Sequence, residues 1–274
     1  MESKYSIVHT DDQSYSLFSH DYNEVMHSTS GAYEEALYKH VYASRILECC
    51  HDELWVLDIG FGIGCNVLAL LTEFLQKTSN QILRIISLES DLSYLHLLKE
   101  IRFGDERDFI YDNIKSAFEK GEYSTQRYIH RLIYGDARDS IKKLRGMRFD
   151  AVFHDPYSPS KNPELWSVDF FREIKRLISE HGILTTYSSA LHIRKSLLDV
   201  GFRIGRGPSI GGKREGTLAT RLGNIPYLSD TEIQTLCNHI RSTPYRDNLL
   251  STSREDILKH RIMQMRLKRL NEVL

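Results

Sequence analysis

Cysteine is scarce in this 274-residue chain, and the four present are poorly placed to build structure. Cys49 and Cys50 are adjacent while Cys65 and Cys237 stand alone, so no C-x-x-C pair suggests a zinc site or a disulfide framework, and no metal is expected. A reducing cytoplasm is the simplest compartment for such a chain. No apolar run approaches the roughly 20 residues of a membrane span, and the first residues lack the apolar core of a secretory leader. Internal repeats and low-complexity segments are absent from the sequence. An excess of one charge is missing as well. The 36 Lys and Arg against 37 Asp and Glu leave a formal net charge of -1, which neither demands nor excludes a nucleic-acid partner. Hydrophobic residues at 41% and charged residues at 27% suit a globular chain, long enough for one α/β domain with an appendage or for two small domains.

What is there centres on Leu54-Trp55-Val56-Leu57-Asp58-Ile59-Gly60-Phe61-Gly62-Ile63-Gly64-Cys65-Asn66. The apolar run reads as a buried parallel strand, and Val67-Leu68-Ala69-Leu70-Leu71 resumes with helical spacing. Glycines at Gly60, Gly62 and Gly64 let the backbone turn sharply and leave it open to a ligand, and the following helix start offers unpaired N–H groups. Asp58 can shape the loop through its amides. The dinucleotide fingerprint fits badly, because Cys65 and Asn66 follow Gly64 directly. The form D-x-G-x-G-x-G resembles motif I of class I S-adenosylmethionine-dependent methyltransferases, the alternative being a purely structural turn.

Upstream, Ser6–Thr10 and Ser14–Phe18 flank Asp11-Asp12-Gln13 and predict a hairpin. The polar segment from Tyr22 leads into a helix through Leu37, His40, Val41 and Ile46. It reads either as a lid over a ligand or, more simply, as a surface connection. Downstream, Ile82–Leu88 reads as a second strand closed by Glu89, where a carboxylate can bind both hydroxyls of a ribose or merely sit exposed at a strand end. A helix is expected from Asp91 through Leu98 and Ile101, then a partly helical insertion over 102–126. Arg131–Arg138 reads as strand and turn: Asp136 with Ala137 suits an adenine amino group, or Asp136 caps the helix over Ser140–Leu144. Phe149–Phe153 is another buried strand, followed by His154-Asp155-Pro156-Tyr157-Ser158-Pro159-Ser160-Lys161-Asn162-Pro163, whose prolines predict a rigid extended loop without helix. Further strand–helix alternation, closed by strands near Phe202–Ile204 and Thr217–Thr220, predicts a doubly wound, mostly parallel sheet with an antiparallel edge. From Ile225 the pattern turns helical, and Leu258, Ile262, Met265 and Leu270 form a rough apolar face expected to pack on the sheet or in a homo-oligomer. The expected division is an N-terminal hairpin and lid segment over 1–50, a Rossmann-like domain over 51–224 and a helical extension over 225–274.

In an open α/β sheet ligands lie outside the C-terminal strand ends, and Gly60, Glu89, Asp136 and Asp155 all fall there. Methyl transfer from a sulfonium needs an in-line, desolvated nucleophile. For an amine, Asp155 can orient the lone pair and accept the proton, while Tyr157 stacks on a flat base. The plain alternative for Asp155 is a loop-stabilising residue before proline. His154 reads as a hydrogen-bonded core histidine before it reads as a base.

Residues 154–170, HDPYSPSKNPELWSVDF, resemble the signature of the methyltransferase domain of MnmC-type tRNA 5-methylaminomethyl-2-thiouridine biosynthesis enzymes. The likeness continues in Thr185-Thr186-Tyr187-Ser188-Ser189-Ala190, in Arg194 to Gly201-Phe202 and in Gly212-Lys213-Arg214-Glu215, and it includes His27-Ser28, Gly31-Ala32 and Glu35-Ala36 upstream. It covers roughly residues 8–222. The resemblance implies a Rossmann-like class I fold with an N-terminal hairpin and a C-terminal helical extension. It implies S-adenosylmethionine as cofactor and, as reaction, methylation of the aminomethyl group on the wobble uridine of tRNA. Asp155, Tyr157 and Glu35 would line the substrate side. Asp58, Gly60, Gly62, Gly64, Asn66, Glu89, Asp136, Ala137 and again Asp155 would serve the cofactor. Lys161, Lys213 and Arg214 are candidates for phosphate contacts, or form a solvated face. Two departures stand out: the flavin-dependent oxidase domain of bifunctional members is not seen, and His154 replaces an expected apolar residue.

Four rivals remain. An aminopropyltransferase also places an Asp at this strand end, but the cluster Arg194, Lys195, Arg203, Arg206, Lys213 and Arg214 would be unwelcome to a polyamine. An amino-methyltransferase acting on a nucleobase or protein amide would want Asp-Pro-Pro-Tyr, of which Asp155-Pro156-Tyr157 is a partial echo. A protein that only binds tRNA would not need all of Asp58, Glu89, Asp136 and Asp155. A dinucleotide oxidoreductase conflicts with the fingerprint.

Overall fold

A computed structural model describes residues 4–76, 80–210 and 215–271. Strands β1 (Tyr5–His9), β2 (Tyr15–Ser19) and β3 (Glu24–Val25) form a small antiparallel sheet. Its first turn is held by Asp12, whose Oδ1 accepts from Ser14 N, Ser14 Oγ and Thr10 Oγ1. The helix after it is shorter and less regular than the spacing predicts. An α-helical turn at Ala32–Ala36 widens into a π-helix at Leu37–Tyr42, and Arg45, in the left-handed region, breaks the chain before the single turn at Ile46–Glu48. A π-turn spends an extra residue per turn and is commonly found where a side chain must be re-aimed.

The main sheet uses β4 (Glu53–Ile59), β5 (Ile82–Glu89), β6 (Glu122–Ser124), β7 (Tyr128–Tyr134), β8 (Phe149–His154), β9 (Ile178–Thr186), β10 (Arg203–Arg206) and β11 (Thr217–Thr220). Their order is β10-β11-β9-β8-β4-β5-β7-β6. The five inner strands from β9 to β7 run parallel, and both edges are closed by antiparallel strands. Expectation gave one such edge. The other, β6, comes from the insertion, which otherwise forms the helix Arg107–Lys120. The helix expected from Asp91 shrinks to Leu95–Leu98.

Strand β4 shows how the core is laid. Leu54 and Val56 face one side with the helix Cys65–Gln76, whereas Leu57 and Ile59 face the other with Ile141, Phe170 and Leu197. Alternate residues of a strand point to opposite faces, so a strand covered by helices on both sides is apolar throughout. Chain order reverses between β4 and β8, the place where such sheets open a crevice.

The proline-rich loop is not wholly extended. Pro163 begins a 3-10 turn through Trp166, as proline can at a first helical position. In the C-terminal segment, helices Asp230–Asn238 and Arg254–Asn271 are present. The expected apolar face of the last helix is corrected. Ile257 is the residue that reaches the core, Leu258 packs beside it, and Ile262 and Leu270 are exposed. Among the described residues no helix is long and apolar enough to cross a membrane.

Candidate active site

The chain leaves β4 through Gly60 and Gly62, both in the left-handed region (φ 87° and 54°). A Cβ on Gly60 would lie 2.6 Å from the Asp155 carbonyl oxygen, so this loop and the end of β8 touch through backbone alone. One on Gly62 would enter the gap closed by Met26 Sδ, 3.4 Å away. Glu89, at the end of β5, ties the loop down. Its Oε2 accepts from Gly62 N at 2.9 Å, and its Oε1 accepts from Ser90 N at 2.7 Å and Asp91 N at 2.9 Å. Burial raises the Glu89 pKa, and these three N–H groups act against that rise. Beneath the loop, Asp58 is fully buried, accepting from Ser87 Oγ at 2.9 Å and from Asn66 Nδ2 at 3.5 Å. Burial pushes its carboxyl up to about 7.

On the other side, Asp155 N donates to Ile59 O at 2.9 Å, pinning the end of β8 to the end of β4. Asp155 Oδ2 accepts from Asn66 Nδ2 at 3.0 Å. Its Oδ1 has no hydrogen-bond donor among the described residues. Burial first, and then the neighbouring Glu35 and Asp58, hold the Asp155 pKa well above the usual carboxylate range, with Asn66 opposing. Tyr157 stacks on Tyr22 with ring centroids 4.2 Å apart. The loop is braced by Trp166 Nε1 donating to Tyr157 O and by the Tyr187 hydroxyl donating to Pro156 O. His154 points away into the core: its Nε2 donates to Leu165 O at 2.9 Å, its ring meets Trp166 edge-on, and burial lowers its pKa to about 3.

These two sides wall one cavity of about 730 Å³. Of the residues singled out from the sequence, Gly60, Gly62, Glu89, Asp136, Ala137, Asp155 and Tyr157 line it. Asp58, Gly64 and Asn66 do not; they stand behind the loop, where a Cβ on Gly64 would strike Phe61 at 2.9 Å. Glu35 does not line it either. Its carboxylate holds Lys39 Nζ at 2.7 Å and Ser28 N at 2.9 Å. Asp136 reaches the cavity while capping the helix Ala137–Lys143 and pairing with the Arg138 guanidinium. The segment from Tyr22 is a wall of the cavity rather than a plain surface connection, because Tyr22, Met26 and His27 line it.

The expected basic cluster is corrected. Arg194 is buried and spends its guanidinium on Glu215, Thr217 and Gly216 O, Arg206 pairs with Glu215 and Glu232, and Lys195 pairs with Asp199. Arg203 lies over the Tyr227 ring. None of the four lines the cavity. Lys161 is exposed on its loop, and Lys213 and Arg214 lie outside the described residues. Sequence reasoning missed Arg138 and Arg254, which line the cavity, and His40 behind Asp155. Arg254 joins Glu164, 90 residues away in the chain, and the Tyr22 hydroxyl, 232 residues away, and no local pattern foretells such contacts.

The family described as S-adenosyl-L-methionine-dependent methyltransferase matches residues 105–222. An uncharacterized protein of Methanocaldococcus jannaschii is 31% identical over 266 residues, covering 95% of this chain and 72% of the relative. The tRNA 5-methylaminomethyl-2-thiouridine biosynthesis bifunctional protein MnmC of Campylobacter hominis is 29% identical over 226 residues, covering 78% of this chain. The chain spans only 32% of that relative's length. The crystal structure of MnmC2 from Aquifex aeolicus superimposes with a TM-score of 0.87 at 36% identity, covering 96% of this chain and 86% of that one. This chain therefore belongs to the S-adenosyl-L-methionine-dependent methyltransferase family that includes Aquifex MnmC2, and its cofactor is S-adenosyl-L-methionine.

Proposed function

We propose that this methyltransferase converts the 5-aminomethyl group of the tRNA wobble uridine to 5-methylaminomethyl. The observation that carries the reading is the free Oδ1 of Asp155, a residue that lines the same cavity as the glycine loop. The likeness to MnmC proteins over about three-quarters of the chain supports tRNA as the substrate class. The cavity suits the cofactor on the chain's own geometry: a Cβ at Gly62 would fill the cradle, and Glu89 stands at the strand end where an acceptor meets ribose hydroxyls. Its volume falls within the range of small-molecule sites, roughly 300–1,000 Å³. We assign Gly60, Gly62, Glu89, Asp136 and Ala137 to the cofactor side, with Asp58, Gly64 and Asn66 shaping the loop from behind.

S-adenosylmethionine supplies an electrophilic methyl group on a sulfonium sulfur. A primary amine attacks it only through a free lone pair, and at neutral pH most of the amine is protonated. Asp155 Oδ1 would accept an N–H of the neutral amine, aim the lone pair and take the proton as the N–C bond forms and the S–C bond breaks, its electron pair leaving with sulfur as a neutral thioether. The raised Asp155 pKa brings its basicity closer to that of the amine, which favours the transfer. The stacked Tyr157 and Tyr22 offer an aromatic platform for a splayed-out base. Glu35 contributes through its charge, without touching the cavity.

The paired state of Arg194, Lys195 and Arg206 removes the surface-charge argument against an aminopropyltransferase, so the assay must separate the two. Labelled S-adenosylmethionine is incubated with tRNA carrying 5-aminomethyluridine, followed by nucleoside mass spectrometry. A 5-methylaminomethyluridine peak is expected. Transfer to a polyamine from decarboxylated S-adenosylmethionine, with none to tRNA, would sink the reading.

A further inference from the structure

His40 projects from the π-helix Leu37–Tyr42 into the core behind the active-site loop, and its side chain is 1% exposed. Nδ1 lies 2.8 Å from Thr185 Oγ1 on β9. Nε2 has no hydrogen-bond partner and sits 3.7 Å from Asp155 Oδ2, the oxygen already held by Asn66. A buried ring nitrogen without a partner, aimed at a carboxylate, asks for a reason.

The two ring nitrogens face different partners, the Thr185 hydroxyl at Nδ1 and the Asp155 carboxylate at Nε2. The one proton of that hydroxyl can go to Val152 O, 3.5 Å away, or to His40 Nδ1, 2.8 Å away. The shorter contact is a normal hydrogen bond and the longer one is at the limit. With the proton on Nδ1, the Nε2 lone pair would face the Asp155 carboxylate and be repelled; the opposite arrangement offers that carboxylate a donor, so the ring proton is assigned to Nε2, with Thr185 donating to Nδ1. An imidazolium is disfavoured here, since burial lowers the His40 pKa to about 3. The ring is neutral, with one N–H to give.

We infer that His40 is a positioning residue for Asp155: its Nε2–H, together with Asn66 Nδ2, holds Oδ2 so that Oδ1 is left to the substrate amine. The gap of 3.7 Å closes to hydrogen-bond distance when the site tightens around its ligands, as catalytic contacts commonly do. The inference rests on the assignment of Asp155 made above. The π-helix gains a purpose from it, because the extra residue in that turn rotates His40 toward β8 and β9.

The ionisable groups around the pair are few. From the His40 side come Glu35 and Lys39, which pair with each other, together with His27 and His154; from β4 comes Asp58, from the glycine-loop helix Cys65, and from the end of β9 Tyr187, the last two with burial raising their pKa and so neutral. Burial keeps both of those histidines neutral at physiological pH, with pKa values of about 4 for His27 and about 3 for His154. A donor facing the ionised carboxylate works against the upward push of burial, Glu35 and Asp58 on Asp155.

The test needs no tRNA, so it is independent of the substrate assignment. The ring nitrogens of His40 and the carboxyl carbon of Asp155 are followed by NMR in the full chain, in wild type, His40→Phe and His40→Asn. The expected result is a protonated Nε2 and an unprotonated Nδ1 in wild type, and an Asp155 titration shifted upward by about one pH unit in both variants. Asparagine can still meet Thr185 but cannot reach Asp155, so a merely structural role would be rescued by His40→Asn. Protonation on Nδ1, or an unmoved Asp155 titration in a folded variant, would overturn the inference. If neither variant folds, the wild-type tautomer alone decides it.

Discussion

The two walls of the cavity satisfy their polar groups in opposite ways. On the β4–β5 side, Glu89 takes three backbone N–H groups and Tyr94 donates to Gly62 O, so the wall is held rigid by bonds to itself. On the β8 side, Asp155 is partly buried as well yet keeps one oxygen unbound, with two further carboxylates nearby. A satisfied buried carboxylate is a structural part, whereas an under-satisfied one is poised to accept a proton. In the proposed reaction, holding and reacting are divided between strand ends, with Asn66 as the bridge, touching both Asp58 and Asp155.

The division can be broken most severely at the reacting wall. Asp155→Asn keeps the shape and removes the proton acceptor, and the methyl-transfer rate should fall about 10²–10⁴-fold at saturating cofactor, read by scintillation or nucleoside mass spectrometry. Beneath the bridge, Asp58 holds its proton to about pH 7 in the folded state, whereas an unfolded Asp loses it near pH 4. The folded protein thus binds more protons in that window, so stability falls as pH rises from about 4 to about 7 and is flat above. Asp58→Asn should remove its share of the slope, at most about 4 kcal/mol, measured by urea unfolding across pH in the cofactor-free protein. At the holding wall, Glu89→Gln replaces charged acceptors by an amide with only one oxygen. It should weaken cofactor binding roughly 10–100-fold by calorimetry and leave saturated transfer within a few fold. The smallest effect is expected outside both walls. Arg194→Ala should lower stability by about 1–3 kcal/mol, seen as a drop in Tm, with tRNA affinity unchanged, because its guanidinium serves Glu215 and Thr217.

Much of this was legible in the sequence where the pattern is local. The run Leu54–Ile59 with its glycines, and Ile82–Glu89 with its terminal acid, are strand–turn units whose side-chain period and backbone needs are written in consecutive residues. The same holds for the hairpin around Asp12. Where position depends on contacts far along the chain, the reading failed. Arg194 and its neighbours look like a basic face until folding sets Glu215 and Glu232 against them. The last helix was assigned a face by period alone, but the docked site is Ile257, and most of the helix beyond it is exposed. His40 was read only as a member of a helical period. Its place in the apolar period with Leu37 and Val41 was the available signal, and the π-turn that gives it meaning has no sequence signature of its own.

The central claim is that Asp155 serves the amine while the glycine loop and Glu89 serve the cofactor. The most direct measurement is the calorimetric isotherm of S-adenosylmethionine binding to Asp155→Asn beside wild type, on the same preparations used for transfer. The account predicts dissociation constants within about threefold of each other despite the collapse in rate. A loss of affinity that parallels the loss of transfer would place Asp155 in the cofactor cradle and contradict the division.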